Sequence, residues 1–202
     1  METKDAIEVL PVQGGWSVEI HADESPESPR EWDNFGVILS WHRRYNAGDE
    51  NPYASPQDFL EVAEEEGYLV MPVYMYDHSV VAISTTPFTG RAQHADWDSG
   101  QVGFTYATKK EVDKCGEGEA AIVKAKSILS AEVATLCQFM TGEVYGFVVK
   151  NPGGDEVDSC WGFYDKAHAT QEGINDAEYA AQRDARKHAA NYIPAGFNEE
   201  GV

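Results

Sequence analysis

Residues 70–85 read VMPVYMYDHSVVAIST, two β-rich runs separated by Asp77, His78 and Ser79. Valine, isoleucine and the aromatic residues suit extended backbone, and three short polar residues between such runs supply a turn, so the stretch predicts a β-hairpin. A hairpin makes its two strands antiparallel, which sets the class of the sheet. Pro72 has no amide hydrogen to give, so its strand is expected at a sheet edge.

Working outward, residues 101–107 alternate, and Val102, Phe104 and Tyr106 are expected on one face of a further strand. Residues 35–41 (FGVILSW) read as a buried strand and residues 17–21 as a short first one, with a polar, proline-containing loop between them. Two more strands are expected over 143–149 and 156–164, joined by the turn-forming run Asn151, Pro152, Gly153 and Gly154.

Three helices are marked by their ends. Ser55 caps the first, Pro56 suits its opening position, Asp58 completes the cap, and Gly67 stops it. The second spans 119–141, where Ile122, Ala125, Leu129, Val133, Leu136 and Met140 form one face and Gly142 closes it. The third is expected over 175–192, with Asn175 and Glu178 as cap and box. Its inward face is mostly alanine, so it is expected to bury little area and to be dispensable for folding of the rest.

Six strands and three helices joined by local hairpins, without regular βαβ alternation, define an α+β fold with a mostly antiparallel sheet. The expected organisation is a single domain over 1–165, with 17–34 partly loop, and a helical extension over 166–202.

The charge is strongly acidic. The 202 residues carry 35 Asp/Glu against 15 Lys/Arg, a net charge of −20. Residues 1–66 hold 16 acids against 4 bases, and the middle of the chain is near balance. Such a field repels nucleic acid and membrane phosphates and attracts basic surfaces. No apolar run is long enough to cross a bilayer, and the N-terminus lacks a basic, then apolar, leader, so the expectation is a soluble, cytoplasmic protein. Cys115, Cys137 and Cys160 have no ligand or disulfide spacing and are expected as reduced thiols.

The chemistry-bearing residues are few. Asp77, His78 and Ser79 are adjacent at a hairpin tip and cannot form a relay with one another. In DWDSGQVGFTY (96–106) the small polar residues serve the entry to a strand, while Trp97 and Asp98 are candidates for lining a pocket. Over 157–164, Val157, Trp161 and Phe163 are expected on a buried face and Cys160 on the accessible one. The catalytic candidates are therefore Asp77, His78, Asp98 and Cys160. The six histidines show no HxxxH or HExxH spacing, so no metal is expected, and no phosphate loop or GxSxG elbow marks a cofactor or nucleophile.

The ordered series EWDNFG (31–36), WHRRYNAGDE (41–50), YDHS (76–79), STTPF (84–88), WDSGQVG (97–103), GEVYG (142–146) and DSCWGFY (158–164) resembles a family of small acidic bacteriophage and prophage proteins. The similarity covers about residues 31–165. It implies a setting, the cytoplasm of an infected bacterium, and supplies no catalytic residues. With the charge, it leads to the expectation of a phage accessory protein that acts by binding, a nucleic-acid mimic that blocks the basic surface of a host or defence protein. Trp97, Asp98, Glu61, Glu64, Glu65 and Glu66 are its binding candidates. The alternative is a small-ligand binder or hydrolase with a pocket near Trp97, Asp98, His78, Asp77 and Cys160. The oligomeric state stays open.

Overall fold

In the computed structural model residues 6–78 and 80–191 are described. Within them eight strands and five α-helices occur, and every strand pair is antiparallel. The α+β class stands, with more elements than the six strands and three helices expected. The chain divides into two compact units, one formed by Met1–Glu24 with Val144–Val202 and the other by Ser25–Glu143. The sequence reading placed its boundary at 165 instead, because contiguity along the chain is all that a sequence displays.

The discontinuous unit has a sheet in the order β1 (Glu8–Pro11), β2 (Ser17–Ala22), β7 (Tyr145–Lys150), β8 (Glu156–Phe163). One face is covered by α5 (Lys166–Asn191). Val18, Ile20, Phe147 and Val149, all buried, meet Ala177 and Ala180 there. The helix starts nine residues before the expected cap at Asn175, because Asp165 already accepts the Ala167 N–H at 2.9 Å. Tyr192, the last residue of the expected helix, and the tail to 202 lie outside the described residues.

Weak docking of this helix is corrected by the structure. Ala169 and Ala177 are fully buried, and a Cβ on Gly173 would stand 2.6 Å from Val18 Cγ1. Small side chains bury little area each, but they let the helix axis approach the sheet so closely that Val18 and Phe147 are covered by backbone. The helix completes this core.

β8 also departs from expectation. Val157 and Trp161 are exposed, and Phe163 alone of the three packs on the core. Two irregularities are the cause: between Val149 and Lys150, which face Asp158 and Glu156, Val157 is the extra residue, and between Tyr145 and Phe147, which face Phe163 and Cys160, one residue of β7 opposes two of β8. Gly162, at φ 84°, takes the left-handed conformation this requires. The parity of the strand flips, and Trp161 comes to lie against Gly146 and His21 while Phe163 shares a face with Cys160.

The second unit has a sheet in the order β3 (Val37–Ser40), β6 (Ser99–Ala107), β4 (Leu69–Asp77), β5 (Val81–Ser84), covered on both faces. α1 (Pro56–Glu66) sets Phe59 and Ala63 against Leu39, Phe104 and Tyr106. α4 (Gly118–Thr141) sets Val133 and Leu136 against Ile38, Val73, Met75 and Ile83. The cap reading of α1 holds in full: Ser55 accepts the Asp58 N–H, Asp58 accepts the Ser55 N–H, and Gly67 ends the helix at φ 66°.

Two further corrections concern this sheet. β4 is an interior strand, yet β5 pairs only with residues 74–77, so Pro72 lies where β4 has a neighbour on one side only. Val102 does not share a face with Phe104 and Tyr106. The register shifts between Val73 and Tyr74, leaving Val102 as the extra residue, and its side chain packs with the α4-side cluster.

Candidate functional site

Short loops that leave the sheet of the second unit bring polar groups together at the end of β4. Asp77, its last residue, accepts a hydrogen bond from the Tyr45 hydroxyl at 3.3 Å and faces Arg44 Nη1 at 3.4 Å. His78, next along, turns to α2 (Ala95–Asp98), a single turn entered through His94 in the left-handed region at φ 56°. His78 Nδ1 lies 2.9 Å from Asp98 Oδ2. The His78 ring is flanked by Tyr76 and His94, with centroids at 6.1 and 5.8 Å. The Tyr76 hydroxyl donates to the Gln93 carbonyl at 2.9 Å and so anchors this loop to β4.

The opening of β6 is held in the same place. Ser99 Oγ donates to the Ala95 carbonyl at 2.6 Å, which closes the one-turn helix and aims the chain into the strand. The polar residues before Gly100 thus act as an entry to the sheet, as their types suggest. An Asp–His pair of this geometry fixes the imidazole with its proton on Nδ1 and leaves Nε2 as an acceptor, the arrangement a general base uses. Trp97 beside it is 89% exposed and forms no wall.

Of the residues expected in one pocket, the structure therefore brings His78 and Asp98 into contact and gives Asp77 other partners. Ser79 lies outside the described residues. Cys160 belongs to β8 of the discontinuous unit, where it is exposed. Cys137 is on α4, and burial pushes its thiol up although it accepts the Ile83 N–H at 3.3 Å. Among the described residues no three His, Cys, Asp or Glu side chains group to hold a metal ion. His94 and Tyr76 were missed in the sequence, which offers no local signal that they flank His78.

The acidic candidates are arranged differently. With Phe59 and Ala63 turned inward, α1 presents Asp58, Glu61, Glu64, Glu65 and Glu66, all exposed. The helix contains no lysine or arginine, and the polar partner of Glu61 is Gln57 at 3.0 Å. Glu64, Glu65 and Glu66 fill its last turn, ahead of the Gly67 cap.

A buried ion network fixes the loop before β3, and the sequence reading missed it. Arg30 donates to both carboxylate oxygens of Asp49 at 2.9 and 2.7 Å and to the Gly36 carbonyl at 2.7 Å. Asp49 also accepts the Ile38 N–H at 2.7 Å, and Glu132 of α4 accepts the N–H groups of Phe35 and Gly36 at 2.6 and 2.9 Å. Arg30 Nη1, buried without a hydrogen-bond partner, lies 3.9 Å from Glu132 Oε2, so the network holds its charges by pairing, and its role is structural.

No helix among the described residues is long and apolar enough to cross a membrane. Comparison of the chain with family models, with curated proteins and with solved structures returns no match, so the site is described by its own geometry.

Proposed function

We propose that the protein acts by binding, offering the acidic face of α1 to a basic protein surface. The observation that carries this reading is the run Glu64, Glu65, Glu66 in the last helical turn. The C-terminal end of a helix carries partial negative charge, so a carboxylate there costs about 0.3–1 kcal/mol where a cation would gain it. Charge added for solubility alone has no reason to accumulate at that end. Carboxylates set against local stability, exposed and without a basic residue on the same helix, fit a surface kept for a cationic partner. On the phage resemblance, the setting is the cytoplasm of an infected bacterium, and the partner is a host or defence protein whose nucleic-acid-binding surface the acidic face occupies. The same field disfavours direct binding to nucleic acid or to membrane phosphates.

The test is a pull-down from infected cells followed by affinity measurements on the captured partner across a salt series. Replacing Glu61, Glu64, Glu65 and Glu66 by glutamine is expected to weaken binding and to flatten its salt dependence. Binding that is unchanged in the variant and indifferent to salt would reject electrostatic mimicry through α1.

A second reading, a small-ligand binder or hydrolase, has one specific observation in its favour, the His78–Asp98 pair. It requires Nε2 of His78 to take a proton from a bound substrate or water. His78→Gln abolishing a turnover that the glutamine variant of α1 retains would put this reading ahead.

A further inference from the structure

In a chain of net charge −20, α5 places Arg183, Arg186 and Lys187 within five positions. Their helical spacing sets all three on one side. All are exposed, and among the described residues none is paired with a carboxylate; the nearby Asp184 turns to His188, 3.6 Å away. Attraction to the helix C-terminus does not account for them, since that effect is confined to the last turn, where His188 is the basic residue.

Arg183 and Lys187 also line a cavity of about 390 Å³ in the discontinuous unit. Opposite them stand Trp16, Pro152 of the β7–β8 turn, and Val157, an apolar wall, while Asp184 and His188 of α5 also line the cavity and lie 3.6 Å from each other. The turn is rigid. Asn151 Oδ1 accepts the N–H groups of Gly153 and Asp155 at 2.9 and 3.0 Å, and the Asn151 N–H donates to the Asp155 carbonyl at 3.0 Å. A second, open hollow of about 330 Å³, lined by α5 alone, shares Arg183 and Lys187 and adds Arg186 and the exposed Tyr179. Both volumes lie within the range of small-molecule sites.

We infer that the cavity between α5 and the β7–β8 turn binds a small phosphate monoester. The guanidinium of Arg183 matches two phosphate oxygens in its planar fork, and Lys187 adds a point charge beside it. The wall of Trp16, Pro152 and Val157 accepts an apolar body carried by the phosphate. A polymer of phosphates is excluded on charge, because the field of a −20 protein acts on every phosphate brought near it, whereas a single dianion sits where Arg183 and Lys187 outnumber the one carboxylate of the lining, Asp184. The site is independent of the acidic helix and uses none of its residues.

The experiment titrates the full chain with two probes, inorganic phosphate and adenosine 5′-monophosphate, by calorimetry at about 50 mM salt, where one Debye length is roughly 14 Å. Saturable binding of a probe is expected, weakened about tenfold or more in Arg183→Gln/Lys187→Gln, both exposed positions whose exchange leaves the core intact. Tighter binding of the nucleotide than of phosphate, lost in Val157→Asp, assigns the ligand as an organic phosphate. Equal binding of the two probes assigns it as free phosphate and overturns the role of the apolar wall. No saturation by either probe to about 5 mM, a level corresponding to about −3 kcal/mol, overturns the site. So does binding that the double variant leaves unchanged.

Discussion

Nδ1 of His78 stands 2.9 Å from Oδ2 of Asp98, across the gap between the end of β4 and the one-turn helix that precedes β6. The carboxylate accepts from Nδ1, so neutral His78 is held with its proton there. Nitrogen chemical shifts of the imidazole are expected to report a single Nδ1–H tautomer, and Asp98→Ala to restore the mixture typical of a solvated histidine. A mixture already present in the unaltered protein would show that the pair does not form in solution.

Gly173 tests how closely α5 lies on its sheet. Alanine is the better helix former by about 1 kcal/mol, so an exposed glycine would gain from the exchange. Here the new Cβ would be 2.6 Å from Val18 Cγ1 and 3.0 Å from Phe147 Cγ. Overpacking of about 1–3 kcal/mol then outweighs the propensity gain. Gly173→Ala is expected to lower the urea midpoint, and a rise in that midpoint would show that the helix sits further out.

Asp49 is the hub of the ion network in the second unit. Asp49→Ala would leave Arg30, whose side chain is 9% exposed, without its bidentate partner and the Ile38 N–H without an acceptor. Removing one member of such a buried pair costs about 3–5 kcal/mol. Denaturant unfolding of the full chain measures it, and a loss below about 1 kcal/mol would mean that water replaces the carboxylate.

Two carboxylates of the discontinuous unit give opposite pH signatures. Burial pushes Glu19 up, but hydrogen bonds and charges from Lys150 and His21 outweigh it, and the group sits below its ordinary value. Its stabilisation is present above the unfolded pKa, about 4.3, and is lost as pH falls through the lower folded value. Asp176 is raised by burial, then by Asp158 and Glu172. It destabilises increasingly as pH rises from about 3.9, the unfolded value, through the folded one. Glu19→Gln should therefore lower the melting temperature at neutral pH, by about 1 kcal/mol in stability, and Asp176→Asn should raise it. Both differences should close in acid. Differences that persist at pH 2 would assign the effects to packing.

The elements legible in the sequence were those with local punctuation. The box at Ser55 and Asp58, the closing Gly67 and Gly142, and the turn at 151–154 each act within a few residues, and each appears where its chemistry puts it. The faces of β6 and β8 were not legible, because one extra residue at Val102 and another beside Gly162 reverse every side chain beyond them, and the bulge is decided by the partner strand. Alanine misled on α5, since area per side chain ignores how near the backbone can come. At the site, residue types singled out His78 and Asp98, but their contact depends on pairing β4 with β6. Arg30, Asp49 and Glu132 lie far apart along the chain and carry no pattern until the fold assembles them.

The discontinuous unit has a consequence for synthesis. Ala22 ends β2, and the strand that pairs with it, β7, begins at Tyr145, so Val18 and Ile20 leave the ribosome long before their cover exists. At 5–20 residues per second the wait is on the order of ten seconds. All four strands of the second unit's sheet, from Val37 to Ala107, are synthesised within that interval. The Asp23 N–H donates to the Val144 carbonyl at 2.8 Å, so the two points where the chain leaves and re-enters the unit are adjacent. The intervening segment is thus inserted at one seam, and its folding shortens the loop that β2 and β7 must close from a long flexible tether to a nearly preset one. In a nascent chain, the last sheet to form is the one whose first strands were made earliest.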